Sequence, residues 1–324
     1  MLRIAILDDY QSVAQGMTDW SRIGPDAEIV SFNRHLSEAQ AADELAAFDV
    51  LCIMRERMAL PRSLIQALPR LKLIAVTGSH TQVIDKEAAQ ERGIPVTLTS
   101  PRASYSAAEL TWAMVLGLAR QITLEDRNMR EGRWQTSVGF RLEGRTLGLV
   151  GLGTLGARVA RYGQAFDMPV IAWSANLDPQ RARDLGVEPV SKEELLRRAD
   201  VVSIHLKLGP RSLGLIGAAE LAMMKRSAVL VNTSRAAIID QDALAQALRD
   251  GVIAGAALDV FEPEPLPADH PARSLPNTIL TPHIGFVTEE SYREFFARVV
   301  DSIIEWRQTN GHAPAMRKDE GETP

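Results

Sequence analysis

Apolar and polar positions along this chain come in alternating blocks. In the first hundred residues short apolar runs fall at 2–7, 27–32, 49–54, 71–77 and 94–98. Between them lie segments with helical patterning at 11–20, 37–47, 61–68 and 85–92. Strand alternating with helix predicts βαβ units and a parallel sheet, so this half reads as a domain in its own right. SYSAAELTWAMVLGLARQ, residues 104–121, is apolar on nearly every face and reads as a buried helix. After a polar stretch the alternation resumes, with strands expected at 146–150, 169–173, 200–204, 227–231, 253–258 and 278–280. Helices fall between the first five of these and a Pro-rich loop precedes the last, which is the pattern of a doubly wound sheet. Residues 288–310 form one amphipathic helix. Thr288 is its cap, Glu289 and Glu290 sit in its first turn, and Tyr292, Phe295, Phe296, Val299, Val300, Ile303 and Ile304 make its apolar stripe. Gly311 is a natural stop, and the polar tail 312–324 reads as disordered.

Composition narrows the class. A length of 324 residues suits two domains, and 46% hydrophobic with 24% charged residues is ordinary for a soluble protein. The net charge of -5 gives no basic face for nucleic acid. Cys52 is the single cysteine, so no disulfide forms within the chain and a cysteine-built zinc site is not expected; no metal is assigned. No apolar stretch reaches the ~18 uncharged residues of a membrane span. MLRIAILDDY turns acidic too early for a secretory signal, and the expected setting is cytoplasmic.

The first chemical signal is the run from Leu147–Val150 into Gly151-Leu152-Gly153-Thr154-Leu155-Gly156. Gly151 permits a tight turn, Gly153 lets the backbone approach a pyrophosphate, and Gly156 lets helix and strand pack closely. The helix opening at Thr154 and Leu155 offers free N–H groups and a positive dipole end to the phosphates. A dinucleotide site of this kind expects an acidic residue about 20 positions on, at the end of the next strand. That strand ends in Ser174-Ala175-Asn176, with no carboxylate; Asp167 precedes it and Asp178 reads as the cap of the following helix. Without the carboxylate a 2′-phosphate is not repelled, and Arg181 or Arg183 can reach one. NAD and NADP both stay open.

Three further loops follow strands on the same carboxyl edge of the second sheet: 232–235, 259–265 and 281–285. They carry Arg235, Glu264 and His283. Ligands of open α/β sheets sit on that edge. A guanidinium grips a carboxylate in a two-pronged fork, and an imidazole exchanges a proton near neutral pH. A carboxylate beside an imidazole favours its protonated form. Together they suit reduction of a 2-keto acid.

With these residues in view the chain resembles the D-isomer-specific 2-hydroxyacid dehydrogenases, a family that includes phosphoglycerate, glycerate/hydroxypyruvate and D-lactate dehydrogenases. The resemblance runs from about residue 48 to about 310 and rests on LPRLKLIAVTG (68–78), AAELTWAMVLGLAR (107–120), EGRTLGLVGLGTLG (143–156), ADVVSIHL (199–206), VNTSRAAIID (231–240), AALDVFEPEPLP (256–267) and TPHIG (281–285). It implies two Rossmann-like or flavodoxin-like domains. The dinucleotide domain, 101–286, is inserted in a substrate domain made of 1–100 and 287–324, with hinges near 100 and 287 whose closure excludes water. It also implies hydride transfer between NAD or NADP and a small D-2-hydroxy acid or 2-keto acid. Arg235 is then the substrate arginine, Glu264 the carboxylate partner and His283 the acid/base. Asp259 bonds the nicotinamide amide, and Ser174, His205 and Thr233 line the cofactor. Arg55, with Arg57 as its competitor, reaches a distal substrate group, and backbone N–H groups of Gly78, Ser79 and His80 hold the substrate carboxylate. A homodimer is implied through the cofactor domain, built on the helix 104–121 and Trp134.

The chain departs from the family pattern in three places. Gly78-Ser79-His80-Thr81-Gln82-Val83 stands for Gly-x-Gly-x-Asp-Asn, Arg235-Ala236 for Arg-Gly, and Lys207-Leu208-Gly209 for Pro-Leu-Thr. The alternative reading is an NAD(H)-sensing binding protein of the corepressor type without significant turnover.

Overall fold

The computed structural model describes residues 1–78, 81–99 and 105–310. The chain divides into two compact units, Met1–Ala103 with Thr288–Pro324, and Ser104–Val287, so the second interrupts the first.

The first unit is built on five parallel strands: β1 (Leu2–Ile6), β2 (Ala27–Ser31), β3 (Val50–Ile53), β4 (Leu73–Thr77) and β5 (Val96–Thr99), in the order β2-β1-β3-β4-β5. Strands β3 and β4 are buried at every position, as strands covered on both faces must be, whereas edge strand β2 is half-buried throughout. The helix Glu289–Thr309 buries Tyr292, Phe295, Phe296, Val299, Val300 and Ile303 and packs against β4 and β5. Thr288 caps it, its hydroxyl accepting from the Ser291 N–H.

Two expectations shift here. The expected stripe ends on Ile304, but the buried residues of the last turns are Ile303, Trp306 and Arg307. Arg307 is 3% exposed because it donates to the Ile23 carbonyl and to both Asp26 carboxylate oxygens, each at 3.0 Å. The single helix expected at 11–20 is instead a turn of helix at Ala14–Met17 and a 3-10 turn at Trp20–Ile23. Thr18 is extended, and Asp19 starts the second turn by accepting from the Ser21 N–H. That break lets Trp20 bury its ring while its Nε1–H donates to the Ala14 carbonyl at 3.0 Å. Gly311, the tail 312–324 and the hinge expected near 100 lie outside the described residues.

The second unit carries seven parallel strands: β6 (Leu147–Val150), β7 (Val170–Trp173), β8 (Glu188–Pro189), β9 (Val201–Ile204), β10 (Val229–Asn232), β11 (Gly255–Leu258) and β12 (Thr278–Leu280). Their order is β12-β11-β10-β9-β6-β7-β8, so chain direction across the sheet reverses between β6 and β9. That reversal is the place where open α/β sheets bind ligands. Strand β8 escapes the hydrophobic pattern because it is two residues at the sheet edge, where a proline costs no ladder bond. The helix Ser106–Arg120 is buried within this same unit, against β10, β11, β12 and the helix Thr154–Ala165. It stops at Gln121, whose φ of 54° is left-handed, and a second helix, Ile122–Arg130, follows. That helix has too few apolar residues to announce itself in the sequence. Among the described residues no helix is long and apolar enough to cross a membrane.

Candidate active site

The glycine turn at the end of β6 has the shape a dinucleotide requires. Gly151 has φ +107°, and a Cβ there would stand 2.6 Å from the His205 carbonyl oxygen. A Cβ on Gly156 would overlap the Gly151 carbonyl, so helix and strand meet only because both are glycines. At Gly153 a Cβ would meet nothing within 4 Å; the bare backbone faces open space over the helix N-terminus. Among the described residues none accepts from the N–H groups of Thr154 and Leu155. An open, glycine-lined face with unspent donors on a helix dipole fits a pyrophosphate. His205 closes the back of the turn: its Nε2 lies 2.9 Å from the Ser203 hydroxyl, and burial pushes its pKa down to about 4. The ring is therefore neutral at pH 7.

At the end of β7, Ser174 is half-buried and Asn176 exposed, and no carboxylate takes the place beside them. Asp178 is turned to its own helix, accepting from the Gln180 N–H at 2.9 Å and the Arg181 N–H at 3.4 Å. Arg183 donates to Gln180 at 3.4 Å.

Arg235, Glu264 and His283 follow β10, β11 and β12, three neighbouring strands. Each loop is fixed by its own hydrogen bonds. Behind Arg235, the fully buried Asn232 donates through its side chain to the Arg235 carbonyl at 2.9 Å and accepts from the Ser234 N–H at 3.0 Å. The Arg235 guanidinium donates to the Ser234 carbonyl at 2.6 Å. Glu264 accepts from the Phe261 N–H at 2.8 Å through Oε1, and its Oε2 lies 2.6 Å from His283 Nδ1. His283 is 13% exposed at its side chain, and its φ of +52° is a left-handed conformation that a histidine rarely adopts.

Asp259 holds that conformation. It is 1% exposed and accepts from the Thr281 hydroxyl at 2.6 Å and from the Ile284 and Gly285 N–H groups, both at 2.8 Å. Burial pushes its carboxyl above the ordinary range, against those three donors. Three donors on one buried carboxylate tie β11 to the loop after β12. Asp259 thus positions His283 whatever else it touches. Thr233 sits 2.8 Å from the Thr111 hydroxyl, which itself donates to the Ala107 carbonyl, so the Thr233 hydroxyl donates to Thr111.

The residues that brace the site and escape a sequence reading are Asn232, Thr281 and the Phe261 N–H. The one signal available was a polar residue, Asn232, closing an apolar strand. Among the described residues no group of three His, Cys, Asp or Glu could hold a metal.

In the first unit, Arg55 follows β3 with φ +53°; its N–H donates to Thr77 at 3.0 Å and its Nε to Glu56 at 3.4 Å. Arg57 is drawn elsewhere, donating to the Asp8 carbonyl at 2.9 Å with its guanidinium 4.9 Å from the Tyr10 ring centroid. The Gly78 N–H donates to the Thr99 carbonyl at 2.8 Å and is spent on the sheet. Ser79 and His80 lie outside the described residues.

Residues 112–285 match the family model of the D-isomer specific 2-hydroxyacid dehydrogenase NAD binding domain. A glyoxylate reductase of Aeropyrum pernix is 38% identical over 282 residues, 84% of this chain and 82% of that protein. A D-3-phosphoglycerate dehydrogenase of Methanocaldococcus jannaschii is 37% identical over 83% of this chain and 51% of its own length. Among solved structures, a phosphoglycerate oxidoreductase from Vibrio cholerae superposes with a TM-score of 0.90 at 34% identity, covering 95% of this chain and 100% of that one.

Proposed function

This chain belongs to the D-isomer specific 2-hydroxyacid dehydrogenase family, and from that premise we propose that it reduces a short 2-keto acid with Arg235, Glu264 and His283 as the working groups. The family activity is hydride transfer between NAD(P) and a small D-2-hydroxy acid. When bound, the cofactor supplies or accepts the hydride at its nicotinamide, and the N–H groups of Thr154 and Leu155 would hold its pyrophosphate at the glycine turn. The chain's own residues do the rest. The Arg235 guanidinium takes the substrate carboxylate in a two-pronged hydrogen bond and stays charged throughout. His283 directs Nδ1–H at Glu264, which leaves Nε2 as the nitrogen that hands a proton to the carbonyl oxygen as it becomes a hydroxyl. Glu264, clamped by the Phe261 N–H, fixes the ring's tautomer and balances the imidazolium. The observation that carries this reading is the 2.6 Å contact between His283 Nδ1 and a Glu264 carboxylate held on its other oxygen.

Asp259, Ser174, His205 and Thr233 belong to the cofactor side of this reading. Arg55 and the backbone around 78–80 are the substrate contacts of the first unit, with Gly78 contributing shape rather than its N–H. The test is a panel of glyoxylate, hydroxypyruvate and phosphohydroxypyruvate with NADH and NADPH, following loss of nicotinamide absorbance. Turnover of at least one supports the reading; no turnover of any overturns it.

The protein is proposed to pair with a second copy through the second unit. The helix Ser106–Arg120 spends its apolar faces inside its own unit, so the pairing surface is the segment after it. There Met129, Trp134 and Val138 are 58%, 74% and 98% exposed. Large apolar side chains laid bare in one short segment mark an interaction surface. Trp134→Asp should halve the sedimenting mass; an unchanged mass would remove the segment from the interface. We place the protein in the cytoplasm, where a lone buried thiol such as Cys52 stays reduced.

A further inference from the structure

Resting on the dehydrogenase reading, we propose that Arg211, on the turn after β9, recognises the 2′-phosphate of NADP and makes this chain an NADPH enzyme. Three observations meet at one place. The β7 end, Ser174-Ala175-Asn176, lacks the carboxylate that would bond the ribose hydroxyls of NAD and repel a phosphate. The Arg211 Nη1 donates to Asn176 Oδ1 at 3.3 Å, so the β9 turn reaches over the edge of the sheet to that strand end. The same β9 terminus packs behind the glycine turn, where a Cβ on Gly151 would touch the His205 carbonyl.

The turn that carries Arg211 is built to present it. The buried Ser212 hydroxyl accepts from the Gly209 N–H at 2.9 Å and donates to the Lys207 carbonyl at 2.8 Å, closing residues 207–212 into a compact knot. Lys207 opens this knot and is exposed, adding a second positive charge on a turn with no acidic residue. Among the described residues the guanidinium makes this one weak amide contact, which keeps its remaining N–H groups for a phosphate, bound as a planar fork. Arg181 and Arg183, the arginines the sequence pattern offers for this role, are exposed on their own short helix, and Arg183 is directed at Gln180.

The test is calorimetric titration of the full chain with 2′,5′-ADP and with 5′-AMP, beside Kd values for NADPH and NADH from nicotinamide fluorescence. The wild-type chain should bind 2′,5′-ADP tighter than AMP by on the order of tenfold to a hundredfold, the worth of charge-assisted hydrogen bonds. Arg211→Ala should erase that ratio while leaving AMP and NADH unchanged, and Arg211→Glu should favour NADH. Arg181→Ala and Arg183→Ala should keep the ratio. Equal binding of the two nucleotides by the wild type, or a preference that survives Arg211→Ala, overturns the assignment while the dehydrogenase reading stands. Failure to bind either nucleotide together with no turnover of any keto acid overturns both.

Discussion

The two sheets present the same edge in different condition. At the carboxyl edge of the second unit the groups around His283 are braced. Asp259 takes three donors, Glu264 is held by Phe261 and His283, and the loop after β10 is tied by Asn232. At the carboxyl edge of the first unit Asp9 is braced in the same way, by the Val13 and Ala14 N–H groups at 3.0 and 3.1 Å, but its neighbour Asp8 is not. Asp8, also left-handed at φ 56° and 1% exposed, splits one oxygen between Tyr10 at 2.9 Å and His35 at 3.3 Å. Its other oxygen is buried with no hydrogen-bond partner among the described residues. An unmet buried oxygen is costly, and beside it His35 has its pKa raised, first by the hydrogen bond to Asp8. Topology alone therefore does not make an edge reactive. What distinguishes the second unit is a carboxylate, Glu264, held by a backbone N–H on one oxygen and set 2.6 Å from an imidazole nitrogen with the other.

The largest effect should come from the imidazole itself. His283→Ala should lower kcat by about a thousandfold, within the range that general acid catalysis contributes, with the Kd for NADH or NADPH unchanged. A matching loss of cofactor affinity would show that the histidine serves binding rather than proton transfer. Next comes its brace. Asp259→Asn sets an amide N–H against one of the backbone donors that the carboxylate accepts from. It should cost about 2 kcal/mol in urea unfolding, the usual penalty of a buried donor left unmet, and reduce kcat by on the order of a hundredfold as the 281–285 loop loosens. Full stability with full activity would mean that the loop holds His283 without it. Glu264→Gln keeps a hydrogen-bond acceptor for Nδ1 but loses the charge, and kcat should fall by about tenfold at pH 7.

The mildest prediction lies in the other unit. Asp49 is 1% exposed and accepts from the Arg3 N–H at 3.0 Å, with Lys72 and Arg70 at 3.0 and 3.1 Å. Burial alone would raise its carboxyl; the Arg3 N–H, Lys72 and Arg70 outweigh it and hold the group below its ordinary value of 3.8. A carboxyl lowered on folding stabilises above its unfolded pKa, and that contribution is lost as pH falls through the folded value. Asp49→Asn should therefore cost about 1 kcal/mol at pH 7 in denaturant unfolding, with mutant and wild type converging at acid pH. A gap that persists at acid pH would assign the loss to packing.

These sites differ in how far the sequence showed them. The parallel sheets were legible because fully apolar runs such as Val50–Ile53 and Leu147–Val150 leave few other structures open to the chain. Gly151 and Gly156 were legible because their close approaches exclude a side chain. His283 could be singled out as an imidazole after a strand, but its left-handed backbone and its clamp by Asp259 could not, since those depend on strands 20 residues apart lying side by side. Arg211 was hidden for the same reason: only the sheet order sets its turn beside Asn176. The split helix at 14–23 was hidden by a local cause, the cap at Asp19, which breaks a pattern that otherwise reads as continuous.

The central claim is that Glu264 and His283 act as one proton-transfer unit, and a double-mutant cycle on kcat tests it most directly. Once His283→Ala has removed the imidazole, adding Glu264→Gln should cost less than about twofold, because the carboxylate then has no ring to orient. If the second substitution still multiplies the loss by about tenfold, as it should in the wild-type background, the two residues work independently and the account fails.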